Sequence, residues 1–180
     1  MRIFGIVGYS GSGKTKLITK IIPELKKLVK TISVIKHAHH GFDIDKPGKD
    51  SFEHRKSGAD QVVVSSAKRW VLIREMNDMP EMPLGALLEK LSACDITLIE
   101  GFKNENFPKL EVSRKSTDKP YLFEKDKRVI GIATSRSIVT ELPIFEIEDY
   151  ANIAKFVYKK ATIWEPLRAK SFGENKKNEG

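Results

Sequence analysis

Eight consecutive residues, Gly8-Tyr9-Ser10-Gly11-Ser12-Gly13-Lys14-Thr15, have the types and spacing to hold a chain of phosphates. They match G-x-x-x-x-G-K-[ST] at every fixed position. Glycines at Gly8, Gly11 and Gly13 let backbone N–H groups converge on one anion. A helix starting near Gly13 adds its unsatisfied N–H groups and the positive end of its dipole. Lys14 supplies a point charge to the terminal phosphates, and the Thr15 hydroxyl can ligate Mg²⁺. Ser10, Ser12 and Lys16 complete the expected nucleotide-binding set. The flanks agree with this reading. Ile3 to Val7 is an apolar run of buried-strand character, and Leu17, Ile18, Ile21 and Ile22 give the following helix an apolar face. A plain glycine-rich turn is the competing reading, but it accounts for neither flank. The implied ligand is a nucleoside triphosphate, or a molecule with a similar phosphate tail.

A second stretch, Ile96-Thr97-Leu98-Ile99, has strong strand character and runs into Glu100-Gly101-Phe102-Lys103. In phosphate-loop proteins an acid ending a neighbouring strand reaches the metal or its water. Glu100 is therefore grouped with Thr15 as a metal ligand and with Lys14 as a catalytic residue. Lys103 falls just beyond it, on the phosphate side. The competing reading of Glu100 is a solvent-facing acid at a strand end.

A third stretch follows the strand expected at Thr31 to Ile35. It runs Lys36-His37-Ala38-His39-His40-Gly41-Phe42-Asp43-Ile44-Asp45, then Lys46 to Asp50. In open α/β sheets, ligands sit beyond the carboxyl ends of the strands. This segment leaves one such end. Lys36, His37, His40 and Asp45 become candidate substrate or phosphate contacts, and Asp43 a further metal ligand. Two other readings stay open. One is a zinc site, although the histidine spacing fits no standard pattern and no cysteine accompanies it. The other is a polar surface loop.

The elements that must position these groups follow from periodicity. Strand, loop, helix and strand imply a right-handed crossover and a parallel sheet. Pro23 is expected to kink or break the first helix. Ser51 is a candidate N-cap for a short helix, and Pro83 a candidate first residue of the helix carrying Leu84, Leu87, Leu88 and Leu91. Gln61–Ser66 and Arg69–Arg74 read as an antiparallel hairpin at a sheet edge, which is a motive for expecting a homodimer. Pro108 to Arg114 reads as a strand with alternating faces, followed by strands at Arg128–Thr134 and Ile144–Ile147. Asp149 is expected to cap a last helix. The fold class is α/β, a P-loop NTPase-like three-layer fold whose mainly parallel sheet carries an inserted antiparallel hairpin. Residues 1–168 form the single nucleotide-binding domain, and 169–180 a polar, flexible tail in which Phe172, like Trp164 before it, can still dock.

Composition narrows the function classes. A chain of 180 residues suggests one domain. No apolar run is long enough to span a bilayer, and no signal peptide precedes the first strand. A single cysteine, Cys94, excludes an internal disulfide framework and fits a reducing cytoplasm; its place in the apolar pattern is that of a small core residue. The net charge of +8 favours anionic partners. No helix-turn-helix, zinc finger or RNA-binding aromatic signature accompanies it, so nucleic acid and membrane are not expected partners.

Four segments taken together resemble one family: 8–15, Ile-Lys-His-Ala-His-His at 35–40, residues 42–51 running into His-Arg-Lys-Ser-Gly-Ala at 54–59, and Ile-Glu-Gly-Phe-Lys at 99–103 followed by Pro-Lys-Leu-Glu-Val at 108–112. They are similar to the molybdopterin-guanine dinucleotide biosynthesis protein B (MobB) family over most of residues 1–135. The two middle segments are far more specific than the phosphate loop. The resemblance implies a GTP-binding accessory protein with weak GTPase activity and Mg²⁺. It would assist the guanylyltransferase that converts molybdopterin to molybdopterin guanine dinucleotide, as a cytoplasmic homodimer. By position, Gly8 to Thr15 would hold the GTP phosphates and Glu100 the metal side. The 36–51 loop and Lys103 would face nucleotide or cofactor. Guanine preference comes from the resemblance, since the late strand gives Ala133-Thr134-Ser135-Arg136 rather than an Asn-Lys-x-Asp segment. A P-loop small-molecule kinase with Asp43 or Asp45 as base is the alternative. A nucleic-acid-binding ATPase is a third reading, supported by charge alone.

Overall fold

The computed structural model describes residues 1–38, 41–117 and 119–166. The described chain runs β1 (Arg2–Val7), α1 (Lys14–Lys26), β2 (Ile32–Lys36), α2 (Asp50–Lys56), β3 (Gln61–Ser65), β4 (Trp70–Arg74) and α3 (Leu84–Glu89). It continues through β5 (Ile96–Glu100), β6 (Lys109–Ser113), β7 (Val129–Thr134), β8 (Ile144–Phe145), α4 (Tyr150–Lys160) and β9 (Thr162–Ile163). The main sheet has the order β2-β5-β1-β6-β7-β8, all parallel. β9 pairs antiparallel with Arg2 and Ile3, while β6 takes Gly5 to Val7 on the same strand.

Three layers result. The stripe Leu17, Ile18, Ile21 and Leu25 of α1 packs with Ile153, Ala154 and Val157 of α4 on one face of the sheet. Leu84 and Leu88 of α3 cover Ile3, Ile35 and Ile99 on the other, with Trp164 and Met1 beside them. Asp149 caps α4, its carboxylate accepting from the Asn152 amide at 3.3 Å. The expected domain limit at 168, the tail and Phe172 lie outside the described residues. Cys94 is half-buried, with Sγ 3.2 Å from Thr97 Oγ1. Among the described residues no helix is long and apolar enough to cross a membrane.

Several expectations are corrected. α1 is not broken at Pro23 and continues to Lys26. Proline removes one backbone donor there, and burial of Ile21 and Leu25 on either side keeps the turn in place. The cap of α2 is Lys49 rather than Ser51, and Pro83 is the cap of α3 rather than its first residue. The β3–β4 hairpin forms a two-stranded sheet of its own, so the edges of the main sheet are β2 and β8. One face of this ribbon stays open, with Val63 64% and Trp70 71% exposed, while Val62, Val71 and Ile73 on the other are half-buried.

β6 is the larger surprise. Its alternation of polar and apolar residues suggests one wet face, yet all five residues are buried. The strand lies between β1 and β7, and both its faces are covered. Lys109, with no exposed surface, donates to the Lys103 carbonyl at 2.6 Å and to Asp126 Oδ2 at 2.9 Å. Burial lowers the Lys109 pKa, and the Asp126 hydrogen bond opposes this. Glu111 accepts from the amides of Leu122 at 2.8 Å and Phe123 at 3.0 Å, and burial still raises its carboxyl. Burial would also raise the Asp126 carboxyl, but hydrogen bonds from Arg128 and Lys109 outweigh it and hold it at about 2.

Asp126 therefore contributes stability that is full above its ordinary pKa of 3.8 and fades as pH falls toward about 2. Asp126→Asn leaves Lys109 buried without a counter-charge and should lower stability at neutral pH by ~3 kcal/mol. Urea unfolding across a pH series should show the gap to wild type narrowing between about pH 4 and about pH 2. A gap independent of pH would mean that the charge of Asp126 is not what Lys109 requires.

Candidate phosphate-binding site

β1 delivers the glycine loop to the middle of the sheet's carboxyl edge. Its register sets what lies beside the loop: Ile6 pairs with Glu100, and Lys36 pairs with Glu100 from the other side. The ends of β2 and β5 therefore reach the level at which α1 begins. Gly13, at φ +94°, precedes the helix, and a Cβ there would lie 2.7 Å from Arg114 Nε. Arg114 follows β6 and donates from Nε to the Ser12 carbonyl at 3.0 Å, holding the loop from below.

The functional side chains converge. Thr15 Oγ1 donates to Glu100 Oε1 at 2.7 Å, and Lys36 Nζ lies 3.8 Å from the same oxygen. Glu100 is 6% exposed. Lys14 Nζ donates to the carbonyls of Gly8 at 3.0 Å and Tyr9 at 2.9 Å. Burial lowers the Lys14 pKa; Glu100 opposes this, while Lys103 and Lys36 lower it further. The crowding of cations makes the site one that an anion would relieve. A cavity of about 810 Å³ opens over these groups. Gly8, Ser10, Gly11, Gly13, Lys14, Thr15 and Lys16 line it from the loop side, and Lys36, His37, Glu100 and Lys103 from the strand ends. Ser12 is buried beneath the loop, its hydroxyl without a hydrogen-bond partner.

The donor set suits a magnesium-bound triphosphate. A hydroxyl and a carboxylate already in contact are hard oxygen ligands of the kind Mg²⁺ takes. Thr15 and Glu100 would hold the ion, which would neutralise phosphate charge; Lys14 and the loop amides would hold the phosphates.

Two of the other predicted residues, Asp43 and Asp45, do not line this cavity. Asp43 and Asp45 both pair with Arg55 of α2, Asp43 at 3.0 Å, and Glu75 joins them on the same guanidinium. This contact fastens the 43–45 segment to α2 and the end of β4. It takes Asp43 away from the metal ligands and Asp45 away from the phosphates. His37 lines the cavity, but its Nε2 lies 2.8 Å from Glu81 and its ring stacks on Phe102 at 4.6 Å. His40 lies outside the described residues. Among the described residues no three His, Cys, Asp or Glu side chains cluster as metal ligands; the zinc reading turns on His39 and His40, which lie outside them. The sequence reading missed Arg114, which follows β6 on one side of β1 while Glu100 ends β5 on the other. Nor does it single out Phe42, a cavity wall exposed over most of its surface, as a site residue, although Phe42 opens the 42–51 segment.

A parallel sheet with this loop between β1 and α1, and an acid ending the adjacent strand, defines a P-loop NTPase-like protein. Comparison with known proteins narrows the class. The pattern of the family described as "Molybdopterin guanine dinucleotide synthesis protein B" (MobB) matches residues 3–135. Two curated relatives are molybdopterin-guanine dinucleotide biosynthesis adapter proteins. That of Haemophilus influenzae is 37% identical, with 86% of each chain aligned. That of Escherichia coli is also 37% identical, over 86% of this chain and 90% of its own. The crystal structure of Bacillus subtilis MobB superposes with a TM-score of 0.69 at 27% identity, covering 90% of this chain and 99% of the other. The chain belongs to the MobB family.

Glu100→Gln keeps the shape of the side chain and removes its charge. Nucleotide titrations with Mg²⁺ and with EDTA should show the magnesium-dependent gain in affinity shrinking about 10- to 100-fold, with metal-free affinity nearly unchanged. Equal losses in both would place Glu100 in a purely structural role.

Proposed function

We propose that this chain is a GTP-binding adapter with slow GTPase activity in molybdenum cofactor maturation, assisting a guanylyltransferase that converts molybdopterin to molybdopterin guanine dinucleotide in the cytoplasm. The observation that carries the reading is the Thr15–Glu100 contact at 2.7 Å beside Lys14, within a chain of the MobB family. The names of the curated relatives supply the adapter role. Lys14 and the loop amides stabilise phosphate charge, but hydrolysis also needs a water aligned for attack. Glu100 is already engaged by Thr15 and Lys36. Binding with slow turnover is what such a site supports. The kinase reading loses its base, because Asp43 and Asp45 are both held by Arg55.

Calorimetric titration with non-hydrolysable GTP and ATP analogues, each with Mg²⁺, tests the reading directly. The guanine analogue should bind at least about tenfold tighter, ~1.4 kcal/mol. Equal affinity, or an adenine preference, would overturn the assignment to GTP.

The adapter is also proposed to be a homodimer that covers the hairpin. A two-stranded ribbon is marginal alone in water, and this one exposes Val63, Val64, Trp70 and Leu72. Sedimentation equilibrium should give a dimer for the wild type and a folded monomer for Val63→Lys/Trp70→Lys. A dimer unaffected by both substitutions would place the interface elsewhere.

A further inference from the structure

Two lysines that the nucleotide site does not need for its fold meet on one residue of the phosphate loop. Lys103 Nζ lies 5.0 Å from the centroid of the Tyr9 ring, and Lys119 Nζ lies 4.9 Å from it. They come from opposite sides of β1: Lys103 from the turn after β5, Lys119 from the connection after β6. Like charges do not gather at one ring unless the backbone presents them there.

Each lysine's backbone is gripped by another cation. The Lys103 carbonyl accepts from buried Lys109 at 2.6 Å, and the adjacent Asn104 carbonyl accepts from Arg128 at 2.6 Å. The turn also contains consecutive left-handed residues, Gly101 at φ +93° and Phe102 at φ +48°. Phe102 is not glycine, so this conformation is held by its surroundings; the His37 ring stacked on it is part of them. On the other side, the Lys119 carbonyl accepts from Arg136 at 3.0 Å, and that guanidinium lies 4.6 Å from the centroid of the Tyr121 ring. Both ammonium heads are thus free to turn while their backbones are fixed.

The position of Tyr9 says which phosphate they address. Lys14, whose role in this motif is to reach the terminal phosphates, already has its ammonium on the Tyr9 carbonyl at 2.9 Å. The inner phosphates belong to the other end of the loop, where the α1 amides begin. The Tyr9 end is therefore the outer end of the phosphate chain. A cation–ring contact at the half-exposed Tyr9 ring is weaker than a charge-assisted hydrogen bond to phosphate. An ammonium resting on Tyr9 would leave the ring for a phosphate oxygen.

We propose that Lys103 and Lys119 form a two-cation clamp on the outermost phosphate of a nucleoside triphosphate, parked on Tyr9 in the free protein, and so distinguish triphosphate from diphosphate. The clamp does in cis what an arginine finger does for other P-loop proteins. It rests on the reading of residues 8–15 as a nucleotide site.

The experiment compares affinities for a non-hydrolysable GTP analogue and for GDP, both with Mg²⁺, in wild type, Lys103→Gln/Lys119→Gln and Lys14→Ala. A control, Lys20→Gln/Lys155→Gln, removes the same charge from exposed helix positions. The double variant should lose about tenfold or more for the triphosphate and less than about twofold for GDP, as expected for hydrogen bonds made only to the outer phosphate. The control should match wild type. Lys119 is exposed, so Lys119→Gln alone serves as a second variant should the double variant fold poorly, with the same selective loss expected in smaller measure. Equal losses for both nucleotides, or none, would overturn the clamp while Lys14→Ala still abolishes binding. Undiminished binding by Lys14→Ala, or no binding by wild type, would instead remove the nucleotide site and the clamp with it.

Discussion

The buried carboxylate of Glu100 is the constraint to which the centre of this molecule conforms. An ionised acid out of water needs partners close by, and this one takes them from both neighbouring segments: the Thr15 hydroxyl across β1 and the Lys36 ammonium at the end of β2. Those contacts exist only because three parallel strands end level, with Ile6, Glu100 and Lys36 in one row. A slip of one residue in either pairing would turn Glu100 to the opposite face of the sheet. The loop, the first turn of α1 and the cation-rich cavity then occupy the one place where their charges complement that carboxylate.

The sheet interior is unusually polar on the other side of β1. Lys109 and Glu111 are both buried: Lys109 is paired with Asp126, and Glu111 accepts hydrogen bonds from two backbone amides. Buried ion pairs of this kind add little net stability over apolar residues, but they punish wrong pairings. Here they also do something local. Lys109 and Arg128 share Asp126, and each grips a carbonyl of the turn that carries Lys103. The polar core of β6 is thereby coupled to the rim of the cavity through a few short hydrogen bonds.

What could be read in advance was what is encoded at short range. The loop spacing, the apolar stripe of α1 and the acid ending β5 are each contained within about a dozen residues and repeat at helix or strand period. What could not be read depended on distant partners. Alternation in β6 promised a wet face, but nothing local told that Asp126 and the amides of Leu122 and Phe123 would satisfy both polar side chains. Asp43 and Asp45 looked like ligands because they follow a strand end, until Arg55 came back over them from α2. Pro23 obeyed tertiary packing rather than its own propensity. The hairpin was plain as a hairpin, but its standing as a separate two-stranded sheet depends on contacts distant in sequence.

The pairing of β9 with the first residues of β1 bears on how the molecule is made. Arg2 and Ile3 find their antiparallel partners at Ile163 and Thr162, at the far end of the described chain. On β1's other edge they wait for Ile96 and Thr97. A ribosome releases β1 before any of its partners, and both of its flanks are completed by segments synthesised much later. The central strand of the fold therefore emerges as its longest-waiting hydrophobic segment. Folding that depends on such long sequence separations is slow and leaves strand edges open to wrong partners.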